Sequence, residues 1–394
     1  MGNDSCQVLA PSTEHLKRLA IVWANFGPYH MARIRALTPY FEMTAIELAS
    51  YQRLYRWEKS ETDVPVHTLR SGALEDQNQL GVALDLWRKL SALRPAAVLV
   101  PGWATLPALC AALWGRAHGI ATLVMSESNF DDHRRNSLGE AAKRAFVRVF
   151  FDGGIVGGKR AASYLQHLGI SSNRIARGYD VVDNEFFSSR VARLRSETDS
   201  SGAGTGSPYF LFVGRLAPEK NVSTLLDAFG MYLDSGGKWK LIIAGDGPLN
   251  NALRDQADSH IRSGAVTFTG HKNNHELASH YASAGCFVLP SLREPWGLVV
   301  NEAMASALPV IVSSRCGCVD DLVEDGSNGF VVDSSTASSI AAALTRMSNL
   351  DSETRVKMGE RSQSIIAGYS PERWAREVHR IVGAVGKDNS ANEL

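Results

Sequence analysis

The chain has 394 residues, 44% hydrophobic and 21% charged, which allows two or three domains at about 150 residues each and excludes a wholly disordered polymer. Lys plus Arg and Asp plus Glu both number 41, and no block of like charges marks a general nucleic-acid partner. Split after Arg190, the chain carries 22 basic against 18 acidic residues before and 19 against 23 after, a mild asymmetry that fits two domains or chance alike.

The run RLAIVWA from Arg18 reads as a strand, NFGP as a turn, and MARIRALTPYF as a helix start. The order repeats. WRKLSAL breaks at Arg94 and Pro95, AAVLVPG reads as a buried strand, LPALCAALWGRAHG as a helix ending in glycine, and IATLVMS as a strand. A helix near Arg160 to Leu168 follows, and ETDSSGAGTGSP, at Glu197 to Pro208, is too polar to build a core and reads as a linker or flexible loop. A second series begins at YFLFVG, from Tyr209, and alternates through WKLIIAG, AVTFTG, CFVLPS and VIVSS with helical stretches between.

Alternation of this kind predicts an α/β chain with two doubly wound Rossmann-like halves facing across a cleft. The boundaries expected are an acceptor-binding domain over 18–190, a linker over 191–208, a nucleotide-binding domain over 209–369, and a terminal helix over 370–387 that returns to the first domain. In that helix Ser370 is the N-cap and Pro371 the first turn, with Trp374, Val378 and Ile381 on one apolar stripe; a plain surface helix is the alternative.

Ligands in such sheets sit at the carboxyl ends of the strands, so the loops there are where chemistry is sought. After Gly214 come Arg215 and Lys220, two cations that can converge on a diphosphate or simply lie solvated. In SLREPWGLVVNEAMA, Glu294 and Glu302 flank a Pro295–Trp296–Gly297 turn. Glu294 lies in a loop and Glu302 in the helix that follows, whose first N–H groups suit a phosphate. Alone, Glu302 is also simply a favourable acid near a helix start.

Taken together, GRLAPEKN, LIIAGDGPL, VTFTGH and SLREPWGLVVNEAMASALPVIVS, with GSNGFVVD as an echo, resemble the nucleotide-sugar-binding half of glycosyltransferase family 4, of the two-domain GT-B fold. The resemblance is strong over Tyr209 to Asp333. It implies a retaining transferase acting from a nucleotide-diphosphate sugar. In it Gly214, Arg215 and Lys220 meet the diphosphate, and Glu294 holds the 3- and 4-hydroxyls of the transferred sugar. The amides of Gly297, Leu298 and Val299, beside Trp296, meet the phosphates, and Glu302 meets the ribose. Gly270, His271 and Lys272 would run along the base, with uridine preferred to guanosine. Catalysis is then positioning plus charge stabilisation. Arg215, Lys220, Glu294 and Glu127 would be the catalytic set, with no cofactor and no metal; the sequence has no Asp-x-Asp pair.

The first half resembles the family more loosely. Only Gly27 matches the usual Gly-Gly turn, and Tyr29 and His30 crowd the loop; where the family carries a histidine near IATLVMSES, this chain has Met125, Ser126 and Glu127, with His133 further on. Gly27, Tyr29, His30, Ser126 and Glu127 are therefore the candidates for the acceptor and sugar side. Glu127 is the replacement for the histidine or an ordinary loop acid. The acceptor would be a saccharide, a lipid-linked sugar or a small molecule. The alternatives in function are a GT-B epimerase acting on a UDP-sugar and a non-catalytic scaffold of the same fold.

Cys6, Cys110, Cys286, Cys316 and Cys318 are few and odd in number, which points to a reducing cytosol, and Cys316 with Cys318 lacks the partners of a metal site. No standard export signal or membrane span is expected. The stretch EAAKRAFVRVFF, with Lys143, Arg144, Arg148, Phe146, Phe150 and Phe151, fits either a core-packed helix with a basic outer face or a peripheral contact with an anionic inner membrane face.

Overall fold

The computed structural model describes residues 16–53, 64–132, 135–200 and 207–391; Cys6 and His133 lie outside them. Seven strands, β1 (Arg18–Trp23), β2 (Glu42–Glu47), β3 (Val66–Thr68), β4 (Ala97–Pro101), β5 (Ala121–Ser126), β6 (Gly153–Val156) and β7 (Ile175–Arg177), form a sheet in the order β3-β2-β1-β4-β5-β6-β7. Six more, β8 (Tyr209–Val213), β9 (Lys240–Ala244), β10 (Val266–Gly270), β11 (Cys286–Leu289), β12 (Val310–Ser313) and β13 (Gly329–Val332), form a second in the order β10-β9-β8-β11-β12-β13. In each, the strand order reverses once, beside β1 and beside β8. Phe210 of β8 faces Leu241 of β9 on one side and Cys286 of β11 on the other, both pairs parallel. These are the two Rossmann-like halves that the alternation predicts, and the fold is α/β of the GT-B type.

The strands form because their residues are apolar on both faces. β4 has four consecutive buried residues and β11 and β12 are buried throughout, as helices covering both sides of a parallel sheet require. The helices carry their stop signals. Gln79–Leu93 begins at Asn78, whose side chain accepts from the Leu80 N–H, and Leu106–His118 ends at Gly119 in the left-handed region. The last helix, Pro371–Ala391, starts as expected, the Arg373 N–H donating to Ser370 Oγ at 3.3 Å and Trp374, Val378 and Ile381 fully buried.

Two compact units divide the chain. The first comprises residues 1–125, 145–155 and 375–394; the second comprises residues 126–144 and 156–374. In the first, the ring of His379 lies 5.0 Å from that of Tyr40 and 5.8 Å from that of Phe41. The second reaches back before Arg190 because helices there bind its other elements. Arg160, on the Lys159–His167 helix, grips both carboxylate oxygens of Asp320 at 2.6 and 3.0 Å.

The stretch read as a linker from residue 191 is helical as far as Ser200, in the helix Asn184–Ser200. Its composition is polar, yet Val191 is buried and Arg195 donates to the Ala282 and Tyr281 carbonyls, so three-dimensional contacts supply what the local pattern lacks. Residues 201–206 lie outside the described part. The helix Ser137–Phe150 buries only Val147 and leaves Leu138 82% exposed, so it is not the core-packed helix that its pattern allows. No helix among the described residues is long and apolar enough to cross a membrane.

Candidate active site

The strand order reverses beside β8, and the loops leaving the carboxyl ends of β8 and β11, where such folds bind ligands, carry Lys220 and Glu294. The ammonium of Lys220 is bonded to Glu294 Oε2; the two side chains keep 19% and 11% of their surface exposed. Ser291 Oγ donates to the same oxygen at 3.3 Å. A second tie runs along the backbone, from the Leu292 N–H to the Glu219 carbonyl at 2.9 Å. On its other side the Glu294 carbonyl accepts from the Gly317 N–H at 2.9 Å, so the carboxylate is held by its own main chain as well as by its partners.

Arg215 projects from the same β8 loop and is exposed. The Gly214 N–H donates to the Ala244 carbonyl at 3.0 Å and Leu216 N–H to the Asp246 carbonyl at 2.9 Å, which fixes the root of the arginine against the neighbouring loop. Gly270 ends β10 with its carbonyl accepting from the Gly245 N–H at 2.8 Å; His271 is exposed, and Lys272 is paired at 3.0 Å with Glu276, inside the capping box of the Asn274–Ser283 helix.

The turn between the two glutamates ends at Gly297, with φ of 105°, a conformation in which a side chain is strained. That turn aims the first N–H groups of the Leu298–Ala305 helix, which the helix's own ladder does not use, back toward the strand end. Gly214, Arg215, Lys220, Gly270, Glu294, Gly297, Leu298 and Val299 thus sit on strand ends and a helix start of one sheet. Two cations, a carboxylate and a helix start on loops at the strand ends of one sheet suit a polyanion joined to a polyol.

Residues 195–365 match the family model for group 1 glycosyl transferases. Among relatives, the chain is 30% identical over 223 residues to the α-monoglucosyldiacylglycerol synthase of Streptococcus pneumoniae, covering 56% of this chain and 49% of that one. It is 37% identical over 160 residues to a GDP-mannose-dependent α-mannosyltransferase of Corynebacterium glutamicum, covering 40% and 34%. The chain thus spans about half the length, or less, of these curated relatives. The structure of HepE from Anabaena with UDP and glucose superposes at a TM-score of 0.70 over 93% of this chain and 100% of that one, at 15% identity, which is a likeness of fold. Residues 195–365 are thus similar to the group 1 glycosyl transferases.

Two residues expected on the donor side lie inside the second unit. Trp296 is 2% exposed, its indole N–H donating to Asn301 Oδ1 at 3.0 Å, and Asn301 in turn donates to the Asp180 carbonyl at 2.9 Å. A Cβ on Gly158 would stand 2.6 Å from the Trp296 ring, so the indole packs flush on backbone at the start of the Lys159–His167 helix. Trp296 fastens the loop from behind. Glu302 is 1% exposed and accepts from the Tyr281 hydroxyl at 2.9 Å, so this structure does not present its carboxylate at the surface where a ribose would lie.

On the acceptor side, Gly27 and His30 come together at the start of the Pro28–Leu37 helix, the Gly27 N–H donating to His30 Nδ1 at 3.0 Å. The imidazole leans on Trp23 at 4.6 Å, and Tyr29 is buried. Burial, with Arg33 nearby, pulls the His30 pKa down to about 3. Unfolded, the ring protonates near 6.5, so between these values the unfolded chain holds the extra proton and stability rises with pH. In His30→Asn the loss of stability between about pH 7 and about pH 5, followed by melting temperature, should shrink by roughly 2 kcal/mol. An unchanged loss would place the acid sensitivity elsewhere.

Ser126 is buried and its Oγ accepts from the Ser128 N–H at 3.2 Å, while Glu127 beside it is half-buried. A neighbouring cluster went unread in the sequence. Glu140 bonds Lys143 at 2.7 Å, Arg135 at 3.0 Å and the Tyr164 hydroxyl at 2.9 Å. Burial alone would raise the Glu140 carboxyl, but these hydrogen bonds together outweigh it and bring the pKa to about 2. The basic residues of the Ser137–Phe150 helix are therefore not all presented outward, since Lys143 is engaged here.

Proposed function

We propose that the chain is a retaining glycosyltransferase that moves a sugar from a nucleoside diphosphate, UDP before GDP, to a hydroxyl of a saccharide, lipid-linked or small-molecule acceptor. The observation that carries this reading is the Lys220–Glu294 pair at the strand-order reversal of the second sheet, beside the start of the Leu298–Ala305 helix. In transfer, the bond from the anomeric carbon to the diphosphate oxygen breaks and its electron pair leaves with the diphosphate. The acceptor oxygen forms the new bond and passes its proton to the departing diphosphate oxygen, directly or through a base.

Lys220 and Arg215 neutralise the departing diphosphate with the helix amides, so that no metal is required of the site. Glu294 accepts hydrogen bonds from the sugar hydroxyls. In the resting site these two groups satisfy each other, and the donor replaces that bond with one to each. Glu127 is read as a positioner or base near the reacting sugar; Glu127→Gln is expected to lower turnover about tenfold with donor affinity kept, and unchanged turnover would return it to an ordinary loop acid. Work at a cytosolic membrane face, for a lipid-linked acceptor, is supported by the exposed Arg144 and Arg148 on a helix that also exposes Leu138 and Val149.

Calorimetry of the purified chain with UDP, GDP and ADP and their sugar conjugates, with and without EDTA, tests the reading. Selective, EDTA-insensitive binding of one nucleoside diphosphate is expected. Proton NMR of the product then reads the anomer. An inverted anomer would sink retention, and interconversion of UDP-sugars without a new glycosidic bond would replace transfer by epimerisation.

A further inference from the structure

Next to Lys220 stands Asn221, with φ of 59°, one of three non-glycine residues among those described that adopt a positive φ. It is 8% exposed. Its Nδ2 donates to the Ser334 carbonyl at 2.7 Å and to the Pro290 carbonyl at 3.2 Å, and its Oδ1 accepts from Thr224 Oγ1 at 2.7 Å. The contacts continue through buried hydroxyls. Ser334 Oγ donates to the Ser291 carbonyl at 3.2 Å and accepts from Ser313 Oγ at 2.9 Å, and Ser291 Oγ reaches Glu294 Oε2. Ser291, Ser313 and Ser334 are each fully buried.

One side chain therefore joins the loops after β8, β11 and β13, and through Ser313 the end of β12, starting immediately beside the lysine and reaching Pro290, four residues before the glutamate. We propose that Asn221 is a positioning residue that sets Lys220 against Glu294 and thereby against the donor diphosphate; this rests on the donor-site reading above. The left-handed backbone sends the chain from the Lys220 turn into the Val222–Asp234 helix, and Asn is among the few residues that tolerate it. The amide then does what glycine would not. It supplies two donors to carbonyls that the strand ends leave unused, in a buried place where a lost partner is costly.

The test is a double-mutant cycle read by calorimetry with UDP and with GDP, on the full chain, with melting temperatures recorded alongside. Asn221→Gly keeps the backbone conformation and removes the three side-chain bonds. It should weaken nucleoside diphosphate binding by about fivefold to tenfold in the otherwise unsubstituted chain, and by less than about twofold in a Lys220→Ala background, since a mispositioned lysine matters only when the lysine is present. Should Asn221→Gly fail to fold, Asn221→Asp, of the same shape but unable to donate, runs the same cycle. Equal losses in both backgrounds would overturn the proposal and leave Asn221 a purely structural residue, while Lys220→Ala still losing affinity would keep the donor site. No binding of either nucleotide by the unsubstituted chain would overturn both.

Discussion

Lys220→Ala is expected to weaken nucleoside diphosphate binding by roughly 100-fold, about 2.7 kcal/mol, and to lower transfer at least as much. Two losses add. The substitution removes a charge-assisted contact to phosphate, and it strands Glu294, 11% exposed, with Ser291 but no cation against its carboxylate. Lys220→Arg separates the two. A guanidinium restores the charge, but its planar fork differs in shape from the compact ammonium that meets Glu294 Oε2, so recovery should be partial. Calorimetric affinity within twofold of the unsubstituted chain in Lys220→Ala would remove this lysine from the donor site.

Glu294→Ala should behave differently. Its carboxylate is assigned to the sugar and not to the nucleotide, so affinity for UDP or GDP alone should change no more than a few-fold. Turnover should fall by about 100-fold to 1,000-fold, in the range seen when one preorganised group is removed from a reacting centre. Freed of its partner, Lys220 even gains freedom to reach phosphate, so a modest rise in nucleotide affinity accords with the assignment. Stopped-flow or discontinuous transfer assays beside calorimetry make the comparison; parallel losses in both quantities would move Glu294 from the sugar to the nucleotide.

The strands of both sheets were legible because a parallel strand buried on both faces is a short apolar run, as AVLVP and CFVL are. β2 and β3 were not. EMTAIE mixes polar with apolar residues and VHT is three residues long at the sheet's edge, where only its neighbour's hydrogen bonds define a strand. The helix through residues 191–200 was hidden for the converse reason, that Val191 and Arg195 find their partners far off in sequence. Spacing located Lys220 and Glu294 because loop position alone brings them together. It could not say that Trp296, between the two glutamates, turns inward to Asn301, since that depends on a helix start some 140 residues earlier. Asn221 carried a signal that went unused: an asparagine directly before an apolar helical stretch marks a left-handed or capping position.

The three separate stretches of the first unit have a consequence for biosynthesis. The chain leaves the ribosome from its N-terminus, so β1 to β5 are made hundreds of residues before His379 and the buried Val378, Ile381 and Val385 that complete the same unit. Until then Tyr40 and Phe41 lack the ring that covers them. The second unit, whose last residue is Trp374, is fully synthesised first. The unit whose strands are made first is therefore the one completed last, and a nascent chain stalled short of residue 375 exposes apolar surface on that unit.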